Sequence, residues 1–207
     1  MDLLNVHFKR TETGIFLHQR PYIEPRLTKY APEGVPLSFQ RNWCPCNGDL
    51  PELVRRAMLD TSEREPLLIK QYQQIVGALL YCATNTRPDV AYAVGMLCRA
   101  MSKPTNALST AAKRVLFYLV RHADIGLHYE ADPSAITAYS DSDLGTQYST
   151  TGWDIHWQRA TISFGSKKQI SVATSSCHAE IIAASEAAKE AKFYREFINE
   201  LGFIYAR

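Results

Sequence analysis

Apolar residues recur every three or four positions through the middle of the chain, and this spacing predicts three helices. We expect them over about 67–83, 86–101 and 106–122. The second helix should begin at Thr86, because a hydroxyl cap, the early Pro88 and the acidic Asp89 all suit the positive end of a helix. Pro104 should separate it from the third helix.

Beyond about residue 130 the period changes from helical spacing to strict alternation, which predicts antiparallel strands with one apolar face. The first predicted strand covers about 136–141, and a helix over about 176–201 follows the third. In the second predicted strand, apolar Trp153, Ile155 and Trp157 alternate with polar Asp154 and His156. In the third, apolar Ile162 and Phe164 alternate with polar Thr161 and Ser163. Strands followed by a helix indicate an α+β unit whose sheet is incomplete.

The N-terminal part is predicted to be a short hairpin, over about 4–8 and 14–17, followed by a proline-capped helical turn. Glycine and proline are dense between residues 31 and 51, which is typical of a linker. We therefore divide the chain into four parts: a short N-terminal segment over 1–30, a linker over 31–65, a helical module over 66–130 and a strand–helix unit over 131–207.

Composition narrows the classes of protein to which the chain can belong. Hydrophobic residues make up 46% of its 207 residues and charged residues 21%, which is typical of a globular protein. A net charge of +2 does not by itself predict binding to nucleic acid or to a membrane. The longest apolar run, Ile75 to Ala83, is far below the about 20 residues of a membrane span. Five cysteines suggest reduced thiols and hence a cytoplasmic or nuclear location.

Two acidic residues, Asp141 and Glu180, are the candidate site. On a helical wheel of about 100° per residue, Glu180 lies in the middle of an apolar face that should pack on the sheet. Its neighbours on that face are Ala184, Ala187, Ala191, Tyr194 and Ile198. Because Asp141 ends a predicted strand, the two carboxylates could form the start of a Mg²⁺ or Mn²⁺ site.

A structural interpretation of the same residues stays open. Asp141 and Asp143 are typical turn residues, and an acid such as Glu180 is favoured in the first turn of a helix. Cys44 and Cys46 do not indicate a zinc site, because no second pair of ligands follows them. Trp153 and Trp157 could stack on nucleic-acid bases, although core packing is the more frequent role of such a pair.

Six stretches of the chain together resemble the C-terminal part of the polyprotein of copia-type LTR retrotransposons. They are residues 72–81, 86–95, 111–116, 139–143, 166–169 and 175–180. Residues 4–30 also resemble the C-terminal end of that family's reverse transcriptase. The helical module over 66–130 would then be the helical connection between the reverse transcriptase and the RNase H domain. The resemblance implies that residues 131–207 form part of an RNase H domain, which cleaves the RNA strand of an RNA–DNA hybrid with two metal ions.

Carried over by motif, Asp141 is implied to be the metal ligand on the first strand and Glu180 the ligand on the helix. Lys167 and Lys168 could contact the nucleic-acid backbone, or they could simply be a solvated strand end. The implied partners are an RNA–DNA hybrid or another nucleic acid and the remainder of the polyprotein, and no membrane is expected.

The chain also departs from the family pattern. Two of the four acids of an RNase H site are expected downstream of Arg207, so Mg²⁺ or Mn²⁺ should bind weakly and the chain should be inactive alone. Leu144, Asp154, His156 and His178 replace residues more typical of the family. The alternative function is therefore a non-catalytic nucleic-acid-binding or structural remnant of a decayed or domesticated element. An open sheet edge and uncovered apolar surface also predict poor stability.

Overall fold

The computed structural model describes residues 1–39, 44–132, 135–144 and 148–202, and it divides into two compact units. The first unit comprises Met1–Phe8 and Leu17–Gly126, and the second comprises Lys9–Phe16 and Leu127–Arg207. Helices and antiparallel sheets are both present, so the α+β class is confirmed. None of the helices described is long and apolar enough to cross a membrane.

Strands β1 to β3 open the chain, and helices α1 to α5 follow them. Their bounds are β1 Asp2–Leu3, β2 Val6–Arg10, β3 Gly14–His18, α1 Arg20–Tyr30, α2 Leu50–Leu59, α3 Pro66–Asn85, α4 Ala91–Cys98 and α5 Asn106–Arg121. Short 3₁₀ turns occupy Leu37–Phe39 and Pro88–Val90. The three predicted helices are present as α3, α4 and α5, but the predicted start of the second at Thr86 needs correction, because a 3₁₀ turn comes first and α4 begins only at Ala91. The expected proline-capped turn is the 11-residue helix α1.

The first unit has one apolar core to which α1 to α5 all contribute. Fully buried members include Val76 of α3, Leu97 of α4 and Leu108 of α5. The buried Tyr72 hydroxyl donates to the Leu97 carbonyl at 2.8 Å and so joins α3 to α4. This core explains why residues with helical spacing form helices here, since each one buries its apolar stripe against the others.

The predicted linker over 31–65 needs correction, because it contains helix α2. Leu50, Val54 and Ala57 are buried in the core, and Pro51 lies in the first turn of the helix, where its missing N–H group costs nothing. Residues 40–43 of the predicted linker lie outside the described residues.

The second unit follows the predicted order of strands and then a helix. Its elements are β4 Leu127–Glu130, β5 Thr137–Asp143, β6 Thr150–Trp157, β7 Ala160–Lys168 and α6 Ser176–Glu200. The strands β5, β6 and β7 form an antiparallel sheet in that order, and α6 packs against β5 and β6.

The structure also bears on the predicted poor stability, because α6 leaves large apolar side chains exposed. Ile181, Phe193 and Phe197 are 63%, 59% and 46% exposed. We expect the double substitution Phe193→Lys and Phe197→Lys to convert an associating chain into a monomer, since it removes contiguous apolar surface. Size-exclusion chromatography with light scattering measures this, and a monodisperse monomer before substitution would contradict it.

Candidate metal and nucleic-acid site

The register of the second unit's sheet assigns each residue of β5 to one of its two faces. Ser142 pairs with Thr151 of β6, and Asp141 pairs with Gly152. Because successive residues of a strand point to opposite faces, Ser142 and Thr151 share one face and Asp141 lies on the other. Asp141 is exposed.

Helix α6 covers the face that carries Thr151. The buried Gln169 side chain donates from Nε2 to Thr151 Oγ1 and to the carbonyl of Ala179 in α6, both at 3.0 Å. Further along the same face, Ser163 Oγ donates to Glu190 of α6 at 3.1 Å. Gln169 therefore fixes the N-terminal turns of α6 beside the end of the sheet, with Ser142 and Thr151 next to the helix.

Glu180 is half-buried and lies at the margin of the packed face of α6, so its predicted central position needs correction. The buried side chains of this helix are Ala179, Ala183, Ala187 and Ile198, whereas Ala184 is exposed. The contact face is thus rotated by about 60° from the predicted one at the start of the helix. Because Glu180 follows Ala179, its backbone is still close to the Gln169 contact.

The structure brings the backbones of Asp141 and Glu180 to the same corner of the second unit without placing both side chains on one face of the sheet. Their carboxylates can converge only around β5 itself, either past its end at Asp143 or over the edge that pairs with none of the described strands. Across the residues that the structure describes, no group of three or more histidine, cysteine or acidic side chains could hold a metal ion. The corner therefore offers at most a two-carboxylate site.

Asp143 has a structural role, as the turn interpretation proposed. Its Oδ1 accepts a hydrogen bond from the Thr150 backbone N–H at 2.5 Å. The bond joins the end of β5 to the start of β6, so Asp143 stabilises this end of the strand pair.

An acid–imidazole pair on the face of Asp141 was not identified from the sequence. Asp154 pairs with Tyr139 across the strands and is therefore a diagonal neighbour of Asp141. Its Oδ2 lies 2.7 Å from Nε2 of His156, while its buried Oδ1 is without a hydrogen-bond partner among the described atoms. The polar residues that interrupt the alternation of β6 were the available signal, but only the register brings them beside Asp141.

Lys167 and Lys168 are both exposed at the end of β7, but the register turns them to opposite faces. Lys167 pairs with Thr151 on the helix side, and Lys168 pairs with Thr150 on the other side. The Lys168 ammonium lies 3.9 Å from the centre of the Tyr148 ring, in cation–π geometry. Each lysine would therefore have to contact nucleic acid separately.

The side of α6 near Lys167 also carries charge pairs. The pKa of Glu186 lies below its ordinary value. The largest cause is a hydrogen bond from Lys189, and the positive charges of Lys189 and Lys167 lower the pKa further. The Ser175 hydroxyl caps α6 by accepting from the His178 N–H at 3.1 Å, and the His178 ring contacts Thr174. His178 thus belongs to the start of the helix.

The chain is similar to known proteins over nearly its whole length. It is 32% identical over 200 residues to the retrovirus-related Pol polyprotein from transposon TNT 1-94 of Nicotiana tabacum, which is 94% of this chain and 15% of the polyprotein. The polyprotein from transposon RE1 of Arabidopsis thaliana is 30% identical over 214 residues, covering 99% of this chain and 14% of the relative. No family model matches the chain, and no solved structure matches it.

A shorter relative matches part of the chain. Secreted RxLR effector protein 161 of Plasmopara viticola is 39% identical over 125 residues, which is 58% of this chain and 88% of that protein. The Pol polyproteins, in contrast, align with nearly the whole chain, which spans 14–15% of their length. The chain therefore belongs to the retrovirus-related Pol polyproteins of copia-type retrotransposons.

Proposed function

We propose that this chain supplies part of the RNase H region of a Pol polyprotein, which hydrolyses the RNA strand of an RNA–DNA hybrid in a metal-dependent reaction. Asp141 and Glu180 would be two of the ligands of the metal ions. The observation that carries the proposal is the Gln169 contact, which holds the start of α6, with Glu180, beside the end of β5, with Asp141.

The donor set fits Mg²⁺ or Mn²⁺, because both prefer hard oxygen ligands such as carboxylates. When bound, such ions would activate water and stabilise the leaving oxygen of the cleaved phosphodiester. The chain's own contribution is to hold two carboxylates near one strand end. Two ligands alone bind weakly, so full activity would require carboxylates from other parts of the polyprotein.

A second candidate function is a non-catalytic nucleic-acid-binding or structural role. It is favoured by the register between β5 and β6, which places Asp141 on the face of the sheet opposite to α6, the helix that carries Glu180. Under this alternative, Asp141 would be an exposed strand residue and Glu180 a partly solvated acid of the first turns of α6.

Metal titration separates these two functions without depending on activity. We expect Asp141→Asn and Glu180→Gln each to weaken Mn²⁺ binding by at least about tenfold, because each removes one of two anionic ligands. The binding is measured from the electron paramagnetic resonance signal of free Mn²⁺. Asp124→Asn and Glu200→Gln are matched controls at exposed acids outside the candidate site; each removes one carboxylate and should leave the affinity unchanged.

The same variants are then tested on a labelled RNA–DNA hybrid with Mg²⁺ or Mn²⁺. Any cleavage by the unsubstituted chain should be lost with Asp141→Asn or Glu180→Gln and kept with the two controls. Equal metal affinities and equal cleavage rates for all five proteins would remove the catalytic assignment and leave the non-catalytic role.

A further inference from the structure

A continuous groove runs over the first unit, between α1 and α3 and on to the first half of α5. It consists of two neighbouring clefts of about 540 and 560 Å³ that share Lys29, Tyr30 and Gln74 as lining residues. We call it the α1–α3 groove. It contains none of the residues assigned to the candidate metal site.

Positive charge is concentrated on the helices around this groove. Helices α1, α3 and α5 carry seven lysine and arginine residues and a single acid, Glu24, although the whole chain has a net charge of only +2. Arg26, Lys29 and Lys113 line the groove. A basic surface on an almost neutral chain attracts polyanions, even though the total charge predicts no such binding.

Two acids, Glu33 and Glu24, pair with cations of α5 and α1, and both are exposed. Lys113 Nζ lies 2.9 Å from Glu33, in a pair whose side chains are 41% and 53% exposed. Glu24 lies 3.9 Å from Arg20. Exposed ion pairs contribute little free energy, so a phosphate can replace Glu33 as the partner of Lys113.

Three tyrosines, Tyr22, Tyr30 and Tyr81, lie along the groove. Their hydroxyls donate to the backbone carbonyls of Ala78, Gln74 and Leu4, respectively. The rings of Tyr22 and Tyr81 are 4.9 Å apart.

Cations of α1 lie over two of these rings. The Arg26 guanidinium is 4.2 Å from the centre of the Tyr22 ring, and the Lys29 ammonium is 5.1 Å from that of Tyr30. Aromatic rings interleaved with cations along a groove are the arrangement with which proteins bind unpaired nucleotides, since bases stack on the rings and phosphates meet the cations.

Gly77 forms part of the groove floor and lacks a structural reason to be glycine. It lies in the interior of α3, where glycine is less favourable than alanine, and a Cβ added there would meet no described atom within 4 Å. At one end of the groove, the buried hydroxyl of Ser109 is without a hydrogen-bond partner among the described atoms. Both features leave room and hydrogen-bonding capacity for a bound molecule.

We propose that the α1–α3 groove binds single-stranded nucleic acid, with phosphates on Arg26, Lys29 and Lys113 and bases on the tyrosines. A single strand is favoured over a duplex because paired bases are stacked on each other and cannot stack on the tyrosine rings. The groove requires no divalent metal ion, so this proposal is independent of the proposed RNase H role.

Fluorescence anisotropy with labelled 12-nucleotide oligo-U RNA and oligo-dT DNA, in the presence of EDTA, tests the proposal on the full chain. We expect Arg26→Ala with Lys29→Ala to weaken binding about tenfold and to reduce the slope of log K against log salt by about 1.4, or 0.7 per phosphate contact. The matched control, Arg55→Ala with Arg56→Ala on α2, also removes two cations and should leave both quantities unchanged.

Gly77 provides a second test that leaves every lining cation in place. Gly77→Glu should weaken binding about tenfold more than Gly77→Gln, because the two side chains have nearly the same size and only the first repels phosphate. Both variants should fold, since the position is open and either residue is a better helix former than glycine. An abasic oligonucleotide of equal charge should bind more weakly than oligo-dT if the tyrosines stack on bases.

The proposal would be overturned if the unsubstituted chain bound neither oligonucleotide, or if the α2 control lost as much affinity as the Arg26→Ala with Lys29→Ala variant. It would also be overturned by equal affinities of the Gly77→Glu and Gly77→Gln variants, or by equal affinities for abasic and normal strands. A larger loss from Lys167→Ala with Lys168→Ala than from the groove variants would move the binding site to the second unit. The two oligonucleotides also show whether the groove prefers RNA or DNA.

Discussion

Asp89→Asn is expected to destabilise the first unit by about 3 kcal/mol, because it leaves a buried guanidinium without its counter-charge. The Arg87 side chain is completely inaccessible to solvent. Its Nε and Nη2 donate to the two carboxylate oxygens of Asp89 at 2.9 and 2.6 Å, and Nη1 donates to the His122 carbonyl at 2.8 Å. The guanidinium also lies 5.6 Å from the centre of the Tyr118 ring.

The loss is measured from urea unfolding followed by circular dichroism at 222 nm. Asp124→Asn is a matched control at an exposed aspartate of the same unit, and it should change the free energy of unfolding by less than about 0.5 kcal/mol. Arg87→Met combined with Asp89→Asn should recover part of the loss, because it removes the buried charge as well. If Asp89→Asn unfolded at the same urea concentration as Asp124→Asn, the ion pair would contribute nothing to stability.

The same motif shows where local sequence signals stop being sufficient. Thr86, Pro88 and Asp89 predicted a capped helix start, but the buried Thr86 hydroxyl donates to Gln19 Oε1 at 2.9 Å, and Asp89 binds Arg87. A helix cap is a local interaction, whereas burial of Arg87 depends on α5, more than 30 residues away in the sequence. The approximate position of the helix could therefore be predicted, but neither its start at Ala91 nor the roles of Thr86 and Asp89 could.

Helix α2 was missed for a different reason, since the sequence contains its signal. Leu50, Val54 and Ala57 recur at helical spacing, and Pro51 stands where proline favours a helix start. The many glycines and prolines before residue 51 predicted a loop, and that prediction was extended too far along the chain. A count of helix-breaking residues describes the segment that contains them and not the segment that follows.

The geometry around Glu180 and Asp141 could be predicted only in part. Ala183 and Ala184 are adjacent in α6, so a helical wheel cannot decide which of the two faces the sheet. Strand β5 has polar residues on both faces, as the neighbours Ser140 and Asp141 show, so alternation cannot identify its packed side. Which alanine faces the sheet and which face of β5 is packed are both determined by tertiary contacts, namely the strand register and the hydrogen bonds of Gln169.

The second large effect is expected at that glutamine. Gln169→Glu should be strongly destabilising near neutral pH, because an ionised carboxylate cannot donate to Thr151 Oγ1 and would face the Ala179 carbonyl in a buried position. Burial and this repulsion should raise the pKa of the introduced acid above its usual value of about 4.3 in the folded state. Gln169→Leu, which removes the same two hydrogen bonds without adding a charge, should lose about 2 kcal/mol at every pH.

The sign of the pH dependence separates the two variants. Below about pH 4.3 the introduced acid is protonated in both folded and unfolded chains, and its O–H can still donate one hydrogen bond. As pH rises, the unfolded chain ionises first, so stability falls by up to about 1.4 kcal/mol per pH unit until the folded chain ionises as well. Urea unfolding at pH 4, 5.5 and 7 should therefore rank the glutamate variant above the leucine variant at pH 4 and below it at pH 7.

A pH-independent difference between the glutamate variant and the unsubstituted chain would mean that Gln169 is not enclosed between the sheet and α6. The leucine variant links this contact to the candidate site. If Gln169 positions Glu180 relative to Asp141, Gln169→Leu should weaken Mn²⁺ binding while the chain stays folded, although both carboxylates remain. If its Mn²⁺ affinity is unchanged, the contact stabilises the second unit but does not position the two acids.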